Sequence, residues 1–136
     1  MAELSVLIVD DDKIDRYLAS KLLTSTGHPV SIAMCENGMV ALDMIKQAFK
    51  KKISLPDLIF LDINMPVMNG WEFLKKIKPF FKKLEQQIFI YIVTSSQDES
   101  DMEYANRFSY LSGYLVKPVL HETYHEILAT VAKSKK

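Results

Sequence analysis

The chain has 136 residues, enough for one compact domain, and is 49% hydrophobic and 25% charged, well clear of the disordered class. Its 17 Lys and Arg balance 17 Asp and Glu, so the zero net charge gives no reason to expect nucleic acid, and the lysine runs at 50–52 and 133–136 read as solvated loop and tail. Apolar runs are strand-sized, far below the roughly 20 residues that span a bilayer, the start lacks signal-peptide regions, and a single cysteine, Cys35, builds no disulfide framework, which together predict a cytoplasmic protein without a membrane segment.

Short β-type runs alternate with segments of helical period. Leu4 to Val9 predicts a buried first strand, followed by a helix with Ile14, Leu18 and Leu22 on one face that stops at Gly27. A second strand near Val30 to Met34 leads through Asn37-Gly38 into a helix facing inward with Val40, Ala41, Met44, Ile45 and Ala48. Leu58 to Leu61 is the third strand. The helix after Gly70 carries Phe73, Leu74 and Ile77, and Pro79 is expected to end or bend it. Ile88 to Val93 reads as a fourth strand buried on both faces, with a fourth helix within 100–110. Gly113 to Val116 makes the fifth strand, and a last helix uses Tyr124, Ile127, Leu128 and Val131.

Five strand-helix units in this order predict an α/β fold, a doubly wound parallel sheet with helices on both faces, because each crossover must be right-handed. No linker, repeat or second core interrupts it, so residues 1–136 are expected to form one domain, with a core over about 4–132 and no output domain. In such sheets the functional crevice lies beyond the carboxyl ends of the strands. Four segments deliver polar groups there: Asp10-Asp11-Asp12, Asp62-Ile63-Asn64-Met65-Pro66, Thr94-Ser95-Ser96 and Lys117-Pro118.

Taken singly, each has a plainer explanation. An acidic run before a helix caps it, as Asp12 would do, and a strand-end Asp belongs to a turn. Their convergence on one edge changes this. Asp10, Asp11 and Asp62 within a few ångströms would repel one another, and a dication together with the Lys117 ammonium would neutralise them. Oxygen-only donors favour Mg²⁺. Such a cation makes phosphoryl transfer to a carboxylate feasible, with Asp62 as nucleophile and Thr94 and Lys117 placed to contact phosphoryl oxygens.

These blocks, with Asn69-Gly70 and Gly113-Tyr114-Leu115-Val116-Lys117-Pro118, resemble the receiver domain of bacterial two-component response regulators, of the CheY-like family, over nearly the whole chain. The resemblance implies the flavodoxin-like strand order 2-1-3-4-5. It implies phosphorylation at Asp62 and Mg²⁺ on Asp10, Asp11, Asp62 and the Asn64 backbone carbonyl. It also implies Thr94 and Tyr114 as the switch pair, Lys117 as the phosphate-binding ammonium, and a cis Lys117-Pro118 bond. A sensor histidine kinase or histidine phosphotransfer protein would be the donor. A downstream protein would read the face of helix four, strand five and helix five. The expected role is a stand-alone signalling phosphoacceptor rather than an enzyme acting on external substrates.

The chain departs from the family pattern at Tyr110-Leu111, where a small pair is usual, and in longer connections over 49–56 and 80–87. Asn64 and Ser96 occupy positions where the family tunes phosphate lifetime. A haloacid-dehalogenase-type phosphatase would want an acid where Asn64 stands, and a flavin carrier would want phosphate-cradling amides where Asp10-Asp11-Asp12 stands. A Ca²⁺ loop over 62–73 fails because Phe73 replaces the closing Glu. A receiver fold used only for docking, never phosphorylated, is the remaining alternative.

Overall fold

A computed structural model describes residues 3–135; Met1, Ala2 and Lys136 of the expected single-domain span lie outside the described residues. In chain order the elements are β1 (Leu4–Val9), α1 (Lys13–Thr24), β2 (Val30–Cys35), α2 (Gly38–Lys50) and β3 (Leu58–Leu61), then α3 (Gly70–Phe81), β4 (Phe89–Thr94), α4 (Glu99–Ala105), β5 (Leu111–Val116) and α5 (His121–Ser134). All strand pairs are parallel and the order is β2-β1-β3-β4-β5, as expected. The central strands are apolar on both faces because helices cover both.

Two cores result. Leu7, Val9, Ile59, Leu61 and Ile90 pack on α2 and α3. Leu4, Val6, Ile8, Leu58 and Phe60 point the other way, onto α1 and α5. The α3 and α5 faces are those the period predicts, with Phe73, Leu74, Ile77, Tyr124, Ile127, Leu128 and Val131 all buried.

Two helices are rotated from the predicted phase. In α1, Ile14 is 70% and Leu18 51% exposed, while Ala19, Leu22 and Leu23 meet the core. The inward row starts at Asp15 rather than Ile14, a shift of one residue or about 100°. An apolar count assigns a carboxylate to solvent, but here a lysine receives it. In α2, Val40 and Met44 are exposed and the buried row is Gly38, Ala41, Leu42, Ile45 and Ala48. Gly38 sets that phase: its backbone packs on Met68, whose carbonyl accepts the Gly38 N–H at 3.0 Å, and a β-carbon there would lie 2.8 Å from the same oxygen.

Pro79 neither ends α3 nor stops it at its own position; the helix runs on to Phe81. The missing N–H falls in the last turn, where only one ladder bond is lost. α4 begins at Glu99, one residue before the predicted window, and β5 begins at Leu111, two residues before the predicted Gly113.

Candidate functional site

The carboxyl ends of the central strands hold the acidic groups. The Asp62 N–H donates to Val9 O at 2.9 Å and the Asp10 N–H to Cys35 O at 3.0 Å, so both residues prolong paired strands before their loops turn away. Asp12 caps α1, accepting from the N–H groups of Ile14 and Asp15 at 2.8 and 3.1 Å. This cap directs the chain over the edge of the sheet and leaves Asp10 and Asp11 facing Asp62. Each of Asp10, Asp11 and Asp62 offers a carboxylate oxygen, and the three lie within 4.8 Å of one another. Asp10 and Asp62 are buried, whereas Asp11 is exposed.

Lys117 enters from the end of β5. Its backbone N–H donates to Thr94 O at 2.8 Å, tying two loops together, and the following bond to Pro118 is cis. Its ammonium donates to Asp10 Oδ2 at 2.8 Å, Asp62 Oδ2 at 3.1 Å and Asp15 Oδ2 at 2.8 Å. The fourth carboxylate was not singled out by sequence reasoning, since an acid in a first helical turn ordinarily serves the helix dipole. Arg16 was missed too; its guanidinium donates to Asp10 O at 2.7 Å.

Charge in the cluster is unevenly settled. Burial pushes the Asp10 carboxyl above the usual carboxylate range, more than the Lys117 and Asp12 hydrogen bonds pull it down. Burial alone would lower the Lys117 ammonium, yet its bonds to Asp10 and Asp15 and the charge of Asp62 raise it above its ordinary value. The two shifts fit together: one lysine collects several carboxylates, and each carboxylate receives only a share of one lysine. The excess is negative, and the donors are all hard oxygens, a set that fits Mg²⁺.

Thr94 is fully buried at the end of β4, its Oγ1 accepting the Ser96 N–H at 3.3 Å. Tyr114 is half-buried on β5 and its hydroxyl donates to Ser96 O at 3.0 Å, so both side chains meet the same loop. Burial pushes the Tyr114 hydroxyl up, with Asp101, Asp98 and Asp62 adding to the effect against the Ser96 bond. Ser96 itself donates to Asp101 Oδ2 at 2.5 Å, linking the loop to α4. Asn64 is exposed, and its N–H donates to Asp62 Oδ1 at 3.3 Å. A cleft of about 540 Å³ extends from Asp10, Asp15, Asp62 and Lys117 along α1, bounded by Leu18, Leu22, Phe60, Val119 and Tyr124.

Comparison with known proteins agrees with this geometry. A family model described as the response regulator receiver domain matches residues 6–129. The protein-glutamate methylesterase/protein-glutamine glutaminase of Clostridium acetobutylicum is 36% identical over 114 residues, which are 84% of this chain and 30% of that protein. A two-component response regulator from Cytophaga hutchinsonii superposes with a TM-score of 0.85 at 26% identity, covering 97% of this chain and 99% of that one. The phosphorylated cyanobacterial phytochrome response regulator RcpA gives 0.76 at 26% identity, covering 97% and 93%. The chain spans only 20% and 30% of the length of the first curated relatives it matches.

Proposed function

Because this chain belongs to the response regulator receiver family, we propose that Asp62 accepts a phosphoryl group in a Mg²⁺-dependent reaction and that the product drives a conformational signal. The observation that carries this reading is the meeting of Asp10, Asp11 and Asp62 within 4.8 Å, with Lys117 3.1 Å from Asp62 Oδ2. In the proposed step an Asp62 carboxylate oxygen attacks phosphorus and forms a P–O bond. The donor's bond to phosphorus, P–N in a phosphohistidine or P–O in acetyl phosphate, breaks with its electron pair leaving on the donor. An acyl phosphate results.

Asp10, Asp11 and Asp62, with the Asn64 carbonyl, would hold the Mg²⁺. When bound, the cation neutralises charge on the phosphoryl oxygens as it is transferred. Lys117 supplies a second positive charge and fixes one phosphoryl oxygen. Thr94 Oγ1, now accepting from Ser96 N at 3.3 Å, would turn toward the acyl phosphate. Tyr114 would then lose its Ser96 partner and move, altering the surface of α4, β5 and α5 that a downstream protein reads.

Two-component signalling makes a sensor histidine kinase or histidine phosphotransfer protein the natural donor. The reading places the chain in the cytoplasm, and the free, buried Cys35 thiol suits a reducing compartment. Incubation with acetyl phosphate and Mg²⁺ tests it directly by intact mass. The expected result is one added phosphoryl group, lost with EDTA and lost in Asp62→Asn. Retention of the added mass in that variant would assign the acceptor elsewhere, and no addition to the wild type would refute phosphoacceptance.

A further inference from the structure

We propose that Asp15 is a positioning residue for Lys117, its carboxylate anchoring the ammonium beside Asp62 while the other two carboxylates change state. This rests on the phosphoacceptor reading above and adds to it a residue that lies outside the three-carboxylate cluster. An ammonium has three protons, and Lys117 gives them to Asp10, Asp62 and Asp15 at 2.8, 3.1 and 2.8 Å. Two of these acceptors do not keep their roles through the reaction. Asp62 would lose its anionic charge on forming the acyl phosphate, and Asp10 would share its carboxylate with the cation. Asp15 alone among the three is neither esterified nor part of the metal-ready cluster.

Its placement is fixed by secondary structure. Asp15 is the third residue of α1, its backbone N–H is held by the Asp12 cap at 3.1 Å, and it opens the row that continues through Ala19 and Leu22 to the core. A carboxylate on an exposed helix usually makes an ion pair worth little. Here the partner ammonium is only 20% exposed and Asp15 itself 36%. The bond lies at the rim of the site, where it restrains the end of a long, flexible side chain. A lysine without that restraint would spend its entropy sampling the 540 Å³ cleft beside it.

The test compares wild type, Asp15→Asn and Asp15→Glu, with acetyl phosphate as donor at saturating Mg²⁺. Asp15→Asn is expected to slow phosphorylation on the order of tenfold, the scale set by small misplacement of a reacting group. Asp15→Glu should recover part of the rate, and the metal-free melting temperature should stay close to wild type in both. The direct readout is the ¹H–¹⁵N signal of the Lys117 ammonium in metal-free protein. It should be sharp and protected in wild type, broadened in Asp15→Asn and restored in Asp15→Glu. An unchanged rate in Asp15→Asn overturns the inference, and so does a slowed rate with an unchanged ammonium signal. If the wild type takes no phosphoryl group at all, the phosphoacceptor reading fails and the inference fails with it; if wild type reacts and Asp15→Asn matches it, only the inference fails.

Discussion

Gly70 packs its bare α-carbon against the carbonyl of Asp62: a β-carbon at that position would sit 2.5 Å from Asp62 O and 2.8 Å from the Ile63 α-carbon. Both obstacles are backbone, so no side-chain rotation relieves them. The Gly70 N–H also donates to Ile63 O at 3.1 Å, and the turn from Asp62 into α3 closes around this approach. Gly70→Ala is therefore expected to destabilise the fold by about 1–3 kcal/mol, the usual cost of overpacking, and to slow phosphorylation by moving Asp62. Urea unfolding with an unchanged slope and a lower midpoint would bear this out; an unchanged midpoint would contradict it.

Asp10→Asn should stabilise the metal-free protein at neutral pH while abolishing its response to Mg²⁺. Burial raises the Asp10 carboxyl, so the folded protein keeps this proton to higher pH than the unfolded chain does. The unfolded state then binds fewer protons as pH rises past the ordinary carboxylate range, and stability falls until the folded group has also ionised. Asn removes that loss and leaves Lys117 its bonds to Asp62 and Asp15. Melting in EDTA should show the variant above wild type near pH 7 and no higher below pH 4. Adding Mg²⁺ should raise wild type alone, by about 2.7 kcal/mol at a hundredfold excess over its dissociation constant.

Cys35 is 3% exposed, and burial pushes its thiol up to about 11 despite the nearby Arg16. The thiolate is the reactive form. A colorimetric thiol reagent at pH 8 should find no reactive group in the folded protein and one after denaturation. Stoichiometric labelling under native conditions would show that the β2 edge opens more readily than its burial suggests.

At the opposite end of the sheet, Asp57 accepts from the Ser5 N–H at 2.8 Å, Gln86 Nε2 at 2.9 Å and Lys135 Nζ at 3.2 Å. Asp57→Ala removes a buried carboxylate and the partner of the half-buried Ser5 N–H, while Gln86 Nε2 keeps the Leu55 and Pro56 carbonyls, and is expected to cost about 1–3 kcal/mol. Lys135→Ala should cost under about 1 kcal/mol, because that ion pair is partly exposed. Denaturation midpoints measure both. Acetyl-phosphate labelling of the folded variants should match wild type, which separates scaffold from site.

Trp71 offers an optical report on the site. Its ring meets Tyr104 edge-on at 4.8 Å and stacks on Phe108 at 5.8 Å, so it touches α4 and the turn after it while its backbone follows Gly70. Beryllofluoride with Mg²⁺ should shift or quench its fluorescence in wild type and leave Asp62→Asn unchanged. A Tyr104→Ala variant should bind the reagent with a smaller optical change. Silence from wild type at saturating reagent would argue against an active switch.

Much of this architecture was legible beforehand because burial on both faces writes continuous apolar strands, as in Leu58 to Leu61, and because four polar segments recur after strands that the topology gathers. Tyr124, Ile127, Leu128 and Val131 followed from period alone. α1 did not, because its inward row opens with Asp15, and a scale that sends every carboxylate to solvent rotates the helix to Ile14 and Leu18. Only the Lys117 partner, 102 positions away, makes an inward acid acceptable. α2 was misphased for a related reason: Gly38 contributes no hydrophobicity, yet its close approach to Met68 decides which way the helix faces. Pro79 was expected to end or bend α3, and that it sits in the last turn, where the ring does least harm and the helix runs on to Phe81, is visible only once the helix end is known.

The thin apolar grip of α1 has a mechanical meaning. Leu23, near its far end, is the one fully buried side chain it sends inward. Its near end is moored by the Arg16 and Asp15 bonds to the strand-end loops. A helix held by apolar packing at one end and by polar bonds at the other has its near end set by the charge of the cluster. On the proposed reading, a change of charge at Asp62 would reach the sheet face opposite α4 through these two bonds, as a loosening or tightening of the near end of α1.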